Sequence, residues 1–229
     1  MHRTPRPPAV IYEDNHIIVI DKPPLLATMG ARADEPSLVQ WARNWLKRKY
    51  DKPGNVYLGV VSRLDAFTSG LILLAKTSKA AGRLTKQFQS GQVRKTYLAI
   101  LEQRPRESQG RLVDWIRKDD QRRRMVVVQP QAANAKRAEL EYQVSGYSGD
   151  RTLVQINLVT GRKHQIRLQF SSRGCPVLGD RKYAGKQPFG PGIALQSSSL
   201  QFVHPVRREP LSFRIEPPEG WELRRFANK

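Results

Sequence analysis

The chain has 229 residues, 40 Lys+Arg against 20 Asp+Glu, and a formal net charge of +20. At ~100–200 residues per domain this allows one large domain or two small ones, and 39% hydrophobic residues suffice for a core. An excess of that sign repels itself unless a polyanion screens it, which makes nucleic acid the leading partner. An acidic membrane surface is the rival, but no run approaches the ~18 apolar residues of a spanning helix. The opening MHRTPRPP lacks the apolar core of a signal peptide. The lone Cys175 rules out a disulfide framework, and the four histidines form no pair at ligand spacing, so no metal site is expected. A reduced, cytoplasmic setting fits.

Residues 1–8 carry Arg and Pro without an apolar period and read as a short arm; residues 9–229 read as one continuous domain. Strands are predicted at Val10–Tyr12 and His16–Ile20, the second ended by Asp21-Lys22-Pro23-Pro24. The pattern changes at Asp34. With Pro36 as first helical residue, Leu38, Trp41, Ala42, Trp45 and Leu46 recur at helical spacing, and Arg43, Lys47 and Arg48 mark the opposite face.

The apolar runs 56–61 and 71–75 read as buried strands flanking a polar insertion, residues 62–70. Thr77 caps a helix running to about Ser90, stopped by Gly91. Further strands are predicted at 93–101, 111–116, 137–145, 152–159 and 211–215, and a helix over 163–173 ending at Gly174. Strands in consecutive runs with few helices predict an α+β fold built on a mixed, largely antiparallel sheet.

No P-loop, dinucleotide-binding glycine loop or GxSxG elbow is present, so no cofactor is expected and chemistry must rest on side chains. Gly179-Asp180 reads as a turn. In RLDAFTSGL, Asp65 stands at a strand end, where sites are commonly built. The plain alternative is a turn in which Asp65 accepts from the Thr68 or Ser69 amides.

VSRLDAFTSGLILLAK (61–76) resembles HRLDxxTSGLLLLAK, the signature of the RluA-type pseudouridine synthases. RKTYLAI (94–100) is similar to that family's KxYxAxV strand, and TGRKHQIRLQF (160–170) to its GRTHQIRVH segment. GCPVLGDRKYAG and ALQSSSLQFVHPV are similar to GHPILGDxxYG and LHAxxLxFxHP. All five segments stand in the family's order between about residues 9 and 216. Ser62, Gln169, Cys175 and Gln196 replace family histidines.

The resemblance implies the pseudouridine synthase catalytic fold and an isomerisation of uridine in RNA. The base leaves C1′ of its ribose, turns, and rejoins through C5, with no cofactor consumed. It implies that Asp65 is the essential carboxylate, acting by attack at C1′, addition at C6 or removal of the 2′ proton. Tyr97 corresponds to the tyrosine that packs on the target base and is a candidate for the C5 proton. Arg167 corresponds to the arginine paired with the catalytic carboxylate, and such a cation favours the ionised form of a buried acid. The plain alternatives are a core Tyr97 and a surface ion pair for Arg167.

A target uridine must leave its stack, at a cost of a few kcal/mol, and the resemblance makes Arg63 the wedge that fills the gap. Leu195 corresponds to the apolar contact under the base, and Thr68, Arg162, His164 and Gln165 fall in the substrate-binding segments. Lys118, Arg122, Arg123 and Arg124, with Arg117, cluster as if on a protruding loop and suit RNA phosphates. Arg181, Lys182, Arg207 and Arg208 add further donors.

The expected protein is thus a monomeric RNA pseudouridine synthase acting on a stem-loop of ribosomal or transfer RNA. A separate S4-type RNA-binding module has no room before Ala9, so the catalytic domain itself must choose the substrate. A catalytically inactive RNA-binding or RNA-chaperone protein on the same fold is the alternative. A DNA-binding protein is disfavoured, because no recognition helix is visible.

Overall fold

The computed structural model describes residues 6–30 and 36–227, so most of the arm and Asp34 lie outside the described residues. In chain order the elements begin β1 (Ala9–Glu13), β2 (Ile17–Lys22), α1 (Leu38–Lys49), β3 (Gly59–Val60), β4 (Ser69–Ala75) and α2 (Ser78–Gln89). There follow β5 (Arg94–Leu101), β6 (Gln109–Asp119), β7 (Arg124–Val128), β8 (Lys136–Ser148) and β9 (Arg151–Leu158). The chain closes with α3 (Gln165–Ser171), β10 (Leu195–Val203) and β11 (Pro210–Arg214), with single 3-10 turns between and after them. This is an α+β fold with a mostly antiparallel sheet: β1–β2, β2–β4, β3–β4, β5–β9, β8–β9, β6–β8, β6–β7 and β10–β11 all pair antiparallel. It divides into two compact units, one comprising the chain up to Arg94 with Ser197–Ile215, the other Lys95–Gln196 with the segment from Glu216.

In the first unit β2 and β4 pair with Ile17 opposite Ala75 and Ile20 opposite Ile72, and every residue of both strands is buried. Alternation then sorts the side chains between two helices. Ile17, Val19, Leu71 and Leu73 pack with Ala80 and Leu84 of α2 and with Leu200 and Phe202 of β10. Ile18, Ile20, Ile72 and Leu74 pack with Leu38, Ala42 and Leu46 of α1. A sheet covered on both faces explains why these strands read as continuous apolar runs. Gly70 has φ 110°, and a β-carbon there would collide with the carbonyl of Ser197, so only glycine lets β4 approach β10.

The helix caps show what starts each helix. Ser37 caps α1 through its hydroxyl to the Gln40 N–H, so Pro36 lies just outside the helix that it was expected to open. Thr77 caps α2 as expected, and Gly91 at φ 73° lies just past its end. Of the strand expected over 56–61 only Gly59–Val60 pairs, and β10 was not anticipated as a strand.

In the second unit β5, β9, β8, β6 and β7 form an antiparallel succession. The helix expected over 163–173 is only seven residues long, because His164 takes φ 54°, a left-handed backbone that no α-helix continues. The basic cluster sits on a β-hairpin rather than a loop. Arg117 and Lys118 lie at the end of β6, Arg122 and Arg123 in the turn, and Arg124 opens β7.

Candidate active site

Asp65 stands in the loop that leads from β3 into β4. Its carbonyl accepts from the Thr68 N–H at 3.1 Å, closing a tight turn over residues 65–68. Main-chain bonds fix the residues on either side of it. Thr28 Oγ1 donates to the Leu64 carbonyl at 2.9 Å and accepts from the Leu64 N–H at 3.2 Å. The Lys22 ammonium donates to the Ala66 carbonyl at 3.2 Å and to those of Pro23 and Leu26, both at 2.9 Å. Lys22 is completely buried. Burial pushes its pKa down to about 7, against the opposing pull of the Asp65 and Asp21 carboxylates. Arg63 points to solvent from the same loop, and Thr68 is buried at the start of β4.

Tyr97 lies on β5 opposite Ile156 and is nearly buried. Arg167 projects from α3, itself buried, and donates Nε–H to Asp180 Oδ2 at 2.6 Å and Nη2–H to Oδ1 at 2.8 Å. The guanidinium also lies 5.1 Å from the centre of the Tyr183 ring. Tyr183 Oη accepts from the Met125 N–H at 3.0 Å and sits 2.8 Å from His164 Nδ1. A single assembly thus joins the buried Arg167, Asp180 and Tyr183 to the half-buried His164. Sequence reasoning missed Asp180 and Tyr183, although both stand in the GDRKYAG segment.

Other expected substrate residues are placed differently. Gln165 is buried, with Nε2 donating to the Glu139 carbonyl at 2.9 Å and Oε1 accepting from Thr160 Oγ1 and the Arg162 N–H. Its amide fastens the start of α3. Arg162 is exposed and donates to the Arg137 carbonyl at 3.0 Å. Leu195 opens β10 and is buried. Of the hairpin residues, Lys118 pairs with Asp120 and Arg122 lies 3.9 Å from Asp119, while Arg123 is exposed. Gln169 donates to Asp114 Oδ2 at 2.7 Å and Gln196 to the Glu216 carbonyl at 3.2 Å, so these two replacements of family histidines are buried structural amides. Among the described residues no group of His, Cys, Asp or Glu side chains could hold a metal ion, and no helix is long and apolar enough to cross a membrane.

A family model described as RNA pseudouridylate synthase matches residues 16–172. An uncharacterized RNA pseudouridine synthase of Chlorobaculum parvum is 32% identical over 238 residues, covering 95% of this chain and 73% of that protein. The dual-specificity RNA pseudouridine synthase RluA of Pasteurella multocida is 32% identical over 217 residues, covering 91% of this chain and 92% of that one. The solved structure of human RNA pseudouridylate synthase domain containing 4 superposes with a TM-score of 0.77 at 26% identity, covering 94% of this chain and 92% of that one. Fold and matches together define an isomerase of the RNA-modifying kind. The chain belongs to the RNA pseudouridylate synthase family and is an RNA pseudouridine synthase of the RluA type.

Proposed function

We propose that this protein isomerises specific uridines to pseudouridine in a structured ribosomal or transfer RNA, with residues 9–229 acting as one monomeric catalytic domain in the cytoplasm. The reaction breaks N1–C1′ and forms C5–C1′; the proton lost from C5 is matched by one gained at N1, so nothing is consumed. Asp65 is the catalytic carboxylate. Tyr97 packs on the base and serves the C5 proton, and Arg167 supplies the cation that favours an ionised acid. Arg63 takes the place of the flipped base, with Thr68, Leu195, Arg162 and His164 around the substrate.

One observation carries the reading: the residues on both sides of Asp65 are pinned at their main chain by buried side chains, Leu64 by Thr28 and Ala66 by Lys22. A carboxylate held at its backbone keeps one position as the base moves, which is what positioning catalysis needs. A solvated surface turn has no use for a buried ammonium. The +20 charge supplies the phosphate affinity, and Lys118, Arg122, Arg123 and Arg124 on the hairpin bind the RNA backbone.

The test is to map pseudouridines in total RNA from cells with and without the gene, then to treat a hairpin containing the mapped uridine with purified protein. Product at that site supports the reading. RNA binding without product would favour the inactive RNA-binding alternative.

A further inference from the structure

Residues 23–30, in the loop that follows β2, carry features that folding alone does not require. Leu25 takes φ 65°, a left-handed backbone that glycine or asparagine would adopt with less strain than a branched side chain. It stays largely open to solvent, being 49% exposed, and Met29 on the same loop is also 49% exposed. A strained residue persists where its surroundings over-determine it. Here the buried Lys22 ammonium grips the Pro23 and Leu26 carbonyls, on either side of Leu25.

The same ammonium reaches the Ala66 carbonyl, and Thr28, next to Met29, grips Leu64. The loop is therefore bonded to the residues that flank Asp65. On that second loop Phe67 is 49% exposed and Arg63 points to solvent. Three apolar side chains and a guanidinium thus stand exposed on two loops fastened together beside the catalytic carboxylate.

We propose that Leu25 and Met29, with Phe67, form a platform for the unpaired bases that neighbour the target uridine. Unstacked bases offer apolar faces that aromatic and aliphatic side chains accept without reading sequence, while nearby cations hold the phosphates. The occupant is nucleobase, because exposed apolar residues beside Arg63 on a chain of charge +20 match a polyanion that carries flat apolar rings. The inference rests on the placement of the target uridine at Asp65.

The test is a binding cycle on Asp65→Asn protein, so that turnover does not enter. The probe is a hairpin RNA with one uridine in an adenine loop, each neighbour of the uridine replaced in turn by an abasic nucleotide. Leu25→Asn with Met29→Ser removes the two aliphatic members of the platform while placing at residue 25 a side chain that tolerates the left-handed backbone. Expected is a loss of about tenfold in affinity for the intact probe, with Tm unchanged or raised. One abasic position costs the unaltered loop about as much, and costs the double variant almost nothing. The proposal is overturned if the double variant binds within about twofold of its parent, if the two losses multiply at every position, or if the loss tracks a fall in Tm. Concentration-dependent self-association through the loop, abolished by the double variant without change in RNA affinity, would also overturn it. Failure of the protein with Asp65 intact to form pseudouridine would fault the catalytic assignment and leave this cycle to judge the platform separately.

Discussion

Asp180 holds Arg167 at two points, one carboxylate oxygen accepting from Nε–H at 2.6 Å and the other from Nη2–H at 2.8 Å, with both side chains buried. A planar guanidinium gripped in this way keeps one orientation, which a lysine could not be made to keep. Asp180→Asn removes the charge and the two-point grip of this carboxylate on a buried guanidinium and is expected to lower unfolding free energy by about 3 kcal/mol, read from urea denaturation. Arg167→Lys should retain partial activity and Arg167→Met almost none. Full activity of the methionine variant would reduce this pair to a structural one.

Thr28→Val removes both bonds to Leu64 with little change of shape. We expect kcat to fall about tenfold while KM moves little, because the loop bearing Asp65 loses its fixed position. Thr28→Ser, which keeps the hydroxyl, should stay near the parent. Equal kcat for the valine and parent proteins would contradict the positioning role.

Lys22 gives a pH-dependent stability of definite sign. Its folded pKa is about 7, against 10.5 for an ordinary lysine. Between those values the unfolded chain binds the proton and the folded protein does not, so this group makes stability rise as pH is raised through that window. Lys22→Met lacks the titration. The stability of the parent minus that of the variant should therefore increase from pH 7 toward pH 10. A flat difference would show that burial does not perturb this ammonium.

The hairpin of β6 and β7 should set the salt dependence of RNA binding. Replacing Arg122, Arg123 and Arg124 together by Ala should lower the slope of log affinity against log salt by about 0.7–0.9 for each phosphate no longer neutralised. An unchanged slope would place the RNA on another face of its unit.

Much of this was legible in the sequence where one physical signal dominated. The runs IIVI and LILLA read as buried strands, and Thr77 and Gly91 announce the ends of α2. Asp65 lies in a polar insertion between apolar strands, where the residues alone suit a plain turn, and only the family resemblance singles it out. What escaped depended on partners distant in the chain. Lys22 looked like a strand stop beside two prolines, and only folding brings it within 3.2 Å of Ala66, 44 residues on. Asp180 looked like a turn because its partner lies 13 residues earlier, on a helix too short to advertise a face. Strand β7 was overshadowed by the basic turn before it: only Arg124 of that cluster lies in the strand, and Met125–Val128 is itself a short apolar run.

That Asp65 performs the chemistry is tested most directly by one substitution. Asp65→Asn preserves size, keeps one acceptor oxygen, turns the other into an N–H donor and removes the carboxylate charge. Single-turnover reaction of excess enzyme with a hairpin RNA containing the mapped uridine separates chemistry from binding and release. The prediction is no pseudouridine from Asp65→Asn at times when the parent has converted its substrate, with RNA affinity within about threefold of the parent. Tyr97→Phe, run alongside, should bind equally and react far more slowly. Pseudouridine formed by Asp65→Asn at a rate near that of the parent would contradict the catalytic role of this carboxylate.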